Sequence, residues 1–498
     1  MGTTRRGFLK AGAGLAAGYA LSSCSLPGGP GRRDAGRGKR PNILWITSED
    51  TSPDLACYGQ GLVETPNLDR LASEGIRFTR AFTTAPVCSP SRSAFMTGMY
   101  QTSIGAHNHR SHRGDGYTLP PPVKLITEYF REAGYYTANV RTAAPGVRGT
   151  GKRDFNFHVE RPFDGTDWSG RNPGQPFFAH LNLRLTHRPF VRDPHRPIDP
   201  DEVEVPPFYP DTPLARRDWA DYLESIQVLD REIGKVLERL EREGLEEETL
   251  VIYFGDHGRP HVRAKQWLYE GGIRIPLIVR WPGRLPAGVV SNALVSALDF
   301  APTSLSLAGI EPPSHMQGVV FLGENAATRD CIFAARDRCD ETVDRIRCVR
   351  EGRWKYIRNF MPGRPYTQFN AYKESIYPVL AQMEVLHGEG RLSPVQERFM
   401  APRKPEEELY DLEEDPFETA DLAGKKEYRD VLNRLRARLD RWIEETGDQG
   451  RIPEDPRVRA YWKKVAARRF RRRMRRWGLS PEGTARERLA FWRKRLLG

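Results

Sequence analysis

Five short apolar runs constrain the fold of this chain more than any other feature of its sequence. Each run is bounded by turn-forming or charged residues, as is typical of buried strands in a parallel sheet. The segments between them carry leucine and isoleucine at helical spacing and end near glycines, which predicts helices. Strands that alternate with helices indicate an α/β fold, with a large mixed, mostly parallel sheet sandwiched by helices. We predict strands over residues 42–47, 135–140, 176–183, 249–254 and 276–281, and helices over 66–76, 123–133 and 214–243.

The pattern changes after about residue 325. Short strand-like segments separated by turn-length gaps predict a small antiparallel sheet, followed by a helix over 427–445. A chain of 498 residues is long enough to form two cores. The predicted organisation is a large domain over 41–325, a C-terminal subdomain over 326–456 and a basic extension over 457–498.

The net charge of +12 is concentrated at the two ends of the chain. Residues 457–498 contain sixteen Lys and Arg against Glu482 and Glu487, and residues 1–40 contain eight against Asp34, so the body between them is acidic. This distribution argues against an enzyme that acts on nucleic acid. We interpret the extension as a helical segment that packs a few aromatic residues on the body, with contact to a membrane surface as the alternative.

The first 26 residues have the pattern of a secretion signal of the twin-arginine type, with Arg5 and Arg6 ahead of an apolar run. The run over 11–21 is too short to span a bilayer stably. Two kinds of processing fit this signal segment: lipidation of Cys24 in a lipobox, or cleavage nearby as a plain signal peptide. We expect an exported protein, periplasmic or anchored as a lipoprotein, that uses the twin-arginine machinery, with residues 27–40 as a linker.

The six cysteines show no paired metal-binding spacing. Cys331, Cys339 and Cys348 are close enough in sequence to form a disulfide in an exported protein, and buried free thiols are the alternative.

Two pairs of candidate ligands directly follow predicted strands. Glu49-Asp50 ends the first strand, and Asp256-His257 follows the strand over 249–254. Adjacent carboxylates at a strand end repel each other unless a cation lies between them. Their oxygen and imidazole donors suit Ca²⁺ or Mg²⁺, while the nitrogen ligand leaves Zn²⁺ or Mn²⁺ open. Each pair taken alone also fits a simple turn or helix cap.

The segment CSPSRSAFMTG, from Cys88 to Gly98, predicts a loop that enters a helix whose N-terminus favours an anion. A buried structural thiol is the alternative for a lone cysteine. This segment resembles the sulfatase signature C-x-P-S-R. The flanking PNILWITSEDTSPDLACYG, TPNLDRLASEGIRFTRAF and GDHG are similar to that family in the same order, and ELYDLEEDPFETADLA resembles its C-terminal part. Within the family, the chain is similar to the heparan N-sulfatase (sulfamidase) branch and its bacterial relatives.

The resemblance implies an alkaline phosphatase-like fold and a formylglycine made from Cys88 by a formylglycine-generating enzyme. It implies a divalent cation, Ca²⁺ with Mg²⁺ as the alternative, and a sulfated carbohydrate substrate. Arg92 would hold the formylglycine hydrate or its metal-bound neighbours, and Lys265 would contact sulfate. Two ligands depart from the usual pattern, since Glu49 stands where many relatives have Asp and His257 where many have Asn. The implied metal ligands are Glu49, Asp50, Cys88, Asp256 and His257.

Further polar residues complete the implied site. His187 resembles the family histidine that protonates the leaving group, and Lys152 the lysine of the usual G-K-x-H motif. Asp154 stands where that motif has His, so either Asp154 replaces it or a histidine from another loop does. The candidates in that loop are His107, His109 and His112, of which we assign His107 and His109, with Asp154, to substrate binding.

The resemblance thus implies a sulfuric ester or sulfamate hydrolase that takes part in glycosaminoglycan degradation. Two alternatives are a phosphonate or phosphodiester hydrolase of the same superfamily, and an inactive glycan-binding protein at the cell surface. Retention of Cys88, Arg92, Lys265 and the acid pairs weighs against the last.

Overall fold

A computed structural model describes residues 40–111, 115–145, 147 and 149–498 of the chain. The predicted signal segment with Cys24, residues 27–39 of the linker and His112 lie outside these described residues. Among the described helices, none is both long enough and apolar enough to cross a membrane.

The strands of the described chain form two sheets, one of seven strands and one of four. They are β1 (Asn42–Ser48), β2 (Ile76–Phe82), β3 (Tyr136–Val140), β4 (Phe177–Leu183), β5 (Thr249–Gly255), β6 (Arg274–Arg280), β7 (Val289–Ser296), β8 (Cys331–Arg336), β9 (Ile346–Glu351), β10 (Trp354–Asn359) and β11 (Glu407–Asp411).

Helices cover both faces of the large sheet and make up most of the C-terminal part. They are α1 (Pro66–Ser73), α2 (Cys88–Phe95), α3 (Ile126–Glu132), α4 (Pro213–Arg242), α5 (Glu270–Ile273), α6 (Phe300–Leu307), α7 (Ala371–Ile376), α8 (Pro378–Gly388), α9 (Pro394–Met400), α10 (Arg429–Glu445), α11 (Pro456–Arg476) and α12 (Ala485–Leu497).

The large sheet has the strand order β3-β4-β1-β5-β6-β2-β7. Strands β3, β4, β1 and β5 run parallel, β6 is antiparallel to both of its neighbours, and β2 pairs in parallel with β7. The predicted class, a mixed and mostly parallel sheet, is therefore confirmed. Because β2 points the same way as β5, the carboxyl ends of β1, β2, β3, β4 and β5 meet at one edge of the sheet.

The side chains of β1 show why both faces of the sheet are covered. Leu44 and Ile46 join one apolar cluster with residues of α4, while Ile43 and Trp45 join a second cluster with α2 and α6. All four side chains are fully buried. A strand that is apolar on both faces needs a helical layer on each side, and the sequence supplies them.

The smaller sheet, ordered β11-β10-β9-β8, is antiparallel throughout. It corresponds to the predicted β-rich segments, with β11 as an additional strand. Cys331, Cys339 and Cys348 are buried free thiols, so the predicted alternative to a disulfide is the one found. The basic extension is helical over α11 and α12, and it buries Phe470, Met474 and Trp492.

Candidate active site

The sequence-predicted residues lie in loops that leave the carboxyl edge of the large sheet. This follows from the topology, because parallel strands deliver their C-terminal ends to the same edge. The segments after β1, β2, β3, β4 and β5 carry, respectively, Glu49 and Asp50; Cys88 and Arg92, which lie in α2; Lys152 and Asp154; His187; and Asp256, His257 and Lys265.

Cys88 is the first residue of α2 and is 2% exposed. Every residue of this short helix is buried. The hydroxyl of Ser91 donates to the carbonyl of Asp256 at 2.5 Å, which ties the helix to the loop after β5. As a result, the Sγ of Cys88 lies 3.3 Å from Nε2 of His257 and 3.8 Å from Nζ of Lys265.

The environment of Cys88 favours a negative charge at that position. Burial raises the pKa of the thiol, but the nearby charges of Lys152, Lys265 and His257 outweigh it and lower the pKa to about 6. The other described cysteines with a shifted pKa are shifted upward, because burial dominates at each of them. The surroundings of position 88 therefore stabilise a negatively charged group, or an oxygen atom with partial negative charge.

Asp50 and His257 face each other across the site. Asp50 has a left-handed backbone with φ of 54°, and its N–H donates to Oδ1 of Asp256 at 2.9 Å. Nδ1 of His257 donates to the carbonyl of Gly258 at 2.9 Å, since a carbonyl can only accept. This bond directs Nε2 of His257 toward Oδ1 of Asp50, at 3.1 Å. Burial lowers the pKa of His257, but Asp256 and Asp50 outweigh it and raise the pKa to about 10.

Glu49 is a fully buried carboxylate whose two oxygens accept no hydrogen bond from the described residues. Its contacts are ion pairs, at 3.1 Å to Nζ of Lys152 and at 3.4 Å to Nε of Arg184. Burial raises the pKa of Glu49, yet Lys152 and Arg92 together hold it below its usual value. A buried anionic group without hydrogen bonds is a candidate ligand for a cation.

The donor atoms converge in two groups that share Asp50. Asp50, Cys88 and His257 form one group and Glu49, Asp50 and His187 the other, with the donor atoms of each within 4.8 Å of one another. Asp256 adjoins them, its Oδ1 lying 3.7 Å from Nε2 of His257. Buried carboxylates with one or two imidazoles fit a divalent cation, so the residues present are compatible with the implied metal.

Arg92 is fully buried and positions Asp256. Its Nη2 donates to Oδ2 of Asp256 at 2.9 Å, and its Nη1 donates to Oδ1 of Asn182 at the end of β4. The guanidinium therefore bridges the loop after β5 to β4, next to the predicted ligands.

Two lysines bring positive charge to the acids. Nζ of Lys265 donates to both oxygens of Asp50, at 2.9 and 2.7 Å. Lys152 lies between Glu49 and Asp154, whose Oδ2 is 3.5 Å from its Nζ. Asp154 is in turn 3.5 Å from Nε of Arg110. Asp154 thus belongs to the cluster through Lys152.

His187 is half-buried, and its ring groups with the acids Glu49 and Asp50. Its Nδ1 donates to the carbonyl of Arg188 at 2.7 Å, and the hydroxyl of Tyr372 lies 3.5 Å from its Nε2. Burial lowers the pKa of His187 to about 4, and Asp50 offsets this only in part. The ring is neutral near pH 7 in the absence of substrate.

His107 and His109 are both buried but belong to neither ligand group. Nδ1 of His109 lies 3.1 Å from Oδ1 of Asp340, in the loop between β8 and β9. Burial lowers the pKa of His109 to about 3 despite this partner. The histidine loop therefore contacts the C-terminal part of the chain, and its substrate-binding role stays a prediction.

Some residues around the site were missed from the sequence. Asn182 is the next-to-last residue of β4, and Arg184 follows that strand by one position, so the strand end itself was a usable signal. Tyr372 lies in a segment without a recognisable pattern, and only the fold brings it to His187.

Comparison with known proteins places this geometry in a family. The sulfatase family model matches residues 41–161 and 160–310, and a model described as N-sulphoglucosamine sulphohydrolase, C-terminal, matches 255–374. An ulvan-active sulfatase of Formosa agariphila is 36% identical, over 85% of this chain and 78% of the relative. The N-sulphoglucosamine sulphohydrolase of Homo sapiens is 26% identical, over 83% and 91%.

Among solved structures, the phosphonate monoester hydrolase of Agrobacterium radiobacter is similar with a TM-score of 0.62 and 20% identity, over 82% of this chain and 96% of that chain. This likeness shows the shared fold alone. The fold and the site together define a hydrolase of the alkaline phosphatase-like class. Within that class, the chain belongs to the sulfatase family and is a sulfuric ester hydrolase.

Proposed function

We propose that this sulfatase releases inorganic sulfate from sulfated carbohydrates, from O-sulfate esters or from N-sulfated glucosamine. The observation that carries the proposal is the position of Cys88, which lies between Lys265 and His257 beside buried acids. The names of the relatives, which act on ulvan or on N-sulphoglucosamine, support a sulfated sugar as substrate.

We further propose that Cys88 is converted to formylglycine and that the bound cation is Ca²⁺, with Mg²⁺ as the alternative. The hydrate of that aldehyde supplies an oxygen nucleophile, and a divalent cation lowers the pKa of such a hydroxyl near neutral pH. Asp50, His257, Glu49 and Asp256 would hold the cation. The support is that three of these four residues, Glu49, Asp50 and Asp256, are buried carboxylates, which offer the oxygen ligands that both ions prefer.

The other side chains have roles that follow from their contacts. Lys265 and Lys152 place fixed positive charge beside Cys88, where it stabilises charge that develops on sulfate oxygens. Arg92 keeps Asp256 oriented. His187 is placed to give a proton to the departing oxygen or nitrogen, which matters most for a sugar because its alkoxide or amide is a poor leaving group.

The test is sulfate release from a panel of N- and O-sulfated disaccharides by enzyme produced together with a formylglycine-generating enzyme. We expect release with protein refilled with Ca²⁺ after chelation, less with Mg²⁺, and none with Cys88→Ala of unchanged fold by circular dichroism. Mass spectrometry of the peptide that contains Cys88 checks the conversion.

Three outcomes of this panel would contradict the proposal. Sulfate release by Cys88→Ala would show that a formylglycine at position 88 is not the nucleophile. Faster hydrolysis of an aryl phosphonate than of any sulfate indicates the phosphonate hydrolase alternative. Glycan binding without turnover of any sulfate indicates an inactive binding protein.

We also propose export by the twin-arginine machinery, with lipidation at Cys24 or plain cleavage nearby as the two kinds of processing. The adjacent Arg5 and Arg6 before an apolar run support it.

A further inference from the structure

The basic extension forms one wall of a large cleft beside the candidate active site. The cleft encloses about 850 Å³, and its other walls come from α4, the start of α8 and the loop that follows His187. The part of the extension that builds it, α11 and α12, lies beyond residues 41–310 and 255–374, which the family models match. The arginines that line it are Arg188, Arg192, Arg469, Arg472, Arg473, Arg476 and Arg495.

Most of this positive charge is uncompensated. Arg188 and Arg192 pair with Asp218 and Asp221, which are the acids of the cleft. For the five arginines of α11 and α12, no carboxylate of the described chain lies within ion-pair distance. Burial lowers the pKa of both Arg469 and Arg473 and neighbouring arginines add to this effect, whereas Asp340 opposes it at Arg469 and Tyr372 opposes it at Arg473. A concave surface of this kind attracts anions.

The four arginines of α11 form a single stripe, here called the arginine stripe, of Arg469, Arg472, Arg473 and Arg476. Their spacing of i, i+3, i+4 and i+7 puts them on one face of the helix, over about 10 Å of its axis. Phe470 and Met474 pack against Ala371 of α7 and fix the orientation of that face. The stripe is therefore part of a docked helix rather than of a free tail.

The cleft lies close to the candidate active site, and three features connect its lining to residues of that site. Arg188 directly follows His187 in the chain. Nη1 of Arg473 donates to the hydroxyl of Ser375 at 2.6 Å, three residues from Tyr372, whose own hydroxyl lies 3.5 Å from Nε2 of His187. Arg469 and Arg473 also line a smaller cavity of about 110 Å³ together with Tyr372.

We propose that the arginine stripe binds sulfate or carboxylate groups on sugar units beyond the one that loses its sulfate, so that this enzyme acts on chains in preference to single sugars. The inference rests on the proposed function. Guanidinium groups bind such anions with two parallel hydrogen bonds, which gives geometric selection as well as charge attraction. A concave cleft that opens beside a sulfate-cleaving site fits a narrow polyanion better than a flat lipid surface.

The test compares two double variants of the full-length enzyme. Arg472→Gln with Arg476→Gln removes two exposed charges of the stripe. Arg471→Gln with Arg475→Gln is the matched control, since it removes the same charge from another face of the same helix that does not line the cleft. For each, kcat/KM is measured on 4-nitrophenyl sulfate and on two polymers, heparan sulfate and ulvan.

We expect the ratio of kcat/KM on the preferred polymer to that on 4-nitrophenyl sulfate to fall about tenfold or more in the stripe variant, mainly through KM. The control keeps the wild-type ratio. An unchanged ratio in the stripe variant, or an equal fall in the control, overturns the proposal.

Binding to the full-length Cys88→Ala protein separates this inference from the proposed function. The probes are a heparin octasaccharide, duplex DNA and vesicles that contain phosphatidylglycerol. If the Arg472→Gln and Arg476→Gln substitutions weaken binding of the octasaccharide, the cleft binds glycan. This holds even if the wild-type enzyme releases no sulfate from any sugar, in which case only the proposed function fails. If these substitutions weaken the binding of DNA or vesicles but not of the octasaccharide, the proposal that the cleft binds glycan is wrong.

Discussion

Glu49 and His257 show how single residues shape this site. Glu49 stands where the resemblance implies the shorter Asp, and its carboxylate forms ion pairs with Lys152 and Arg184. Its oxygens group with Asp50 and His187, whereas Asp50 also groups with Cys88 and His257. Asp50 is therefore the acid shared by both groups.

His187→Gln should reduce kcat/KM more for substrates with a poor leaving group than for substrates with a good one. We expect the negative charge of bound sulfate to raise the pKa of His187 from its low value in the free protein, so that the ring supplies a proton. We expect kcat/KM on a sulfated sugar to fall about 10² to 10⁴-fold, because a sugar oxygen or nitrogen needs that proton. On 4-nitrophenyl sulfate, whose phenolate leaves unaided, the fall should be far smaller. His195→Gln, at an exposed position, is the control, and equal losses on both substrates would contradict the role.

The two acid-bearing pairs could be predicted from the sequence because they follow predicted strands, whereas the resemblance to sulfatases implied the roles of Cys88 and the other site residues. The acid pairs come directly after β1 and β5, and parallel strands bring such ends together without further information. Tyr372 and Asp340 could not be predicted in the same way. They reach the site from the C-terminal part through long-range packing, and neither stands in a segment with a periodic pattern.

At the scale of elements, the buried strands of the large sheet were predicted and its two half-exposed strands were missed. β2 was not predicted, because IRFTRAF alternates with polar residues directly after a helix. β7 was not predicted either, since its first half is largely exposed at the edge of the sheet. α7, α8 and α9 lie in a segment, 361–405, that gave no clear helical pattern. Burial on both faces leaves a clear sequence signal, and an edge position does not.

The contact between the loop after β5 and α5 should tolerate no side chain at Gly258. A Cβ there would lie 2.0 Å from the carbonyl oxygen of Gly271. Because that neighbour is backbone, Gly258→Ala forces the loop away from α5, and we expect a loss of about 1 to 3 kcal/mol in the free energy of unfolding. The adjacent His257 shifts with it, so activity falls as well.

Urea unfolding followed by circular dichroism measures this effect. Gly61→Ala is the control, since a Cβ at Gly61 meets nothing within 4 Å. An unfolding midpoint of Gly258→Ala equal to that of Gly61→Ala would show that the loop relaxes without cost.

At the scale of the whole molecule, the burial of Cys88 limits when a modifying enzyme can reach this residue. Cys88 is 2% exposed and the helix that it begins is buried throughout. A modifying enzyme can therefore reach Cys88 only before the large sheet and its helices have packed around it. We therefore propose that conversion of Cys88 to formylglycine precedes folding, an order compatible with the proposed export of an already folded chain.

Replacement of Arg5 and Arg6 by Lys tests this order. Twin-arginine export depends on that pair, so we expect the variant to stay in the cytoplasm as a folded protein that already carries the modified Cys88. Cell fractionation locates the chain, and mass spectrometry of the peptide that contains Cys88 reports the conversion. Substitution of Arg32 and Arg33 by Lys, in the linker, is the matched control and should leave export unchanged. Normal export of the Arg5 and Arg6 variant would refute the twin-arginine route. Retention in the cytoplasm with an unmodified Cys88 would refute conversion before export, because the modification would then depend on export.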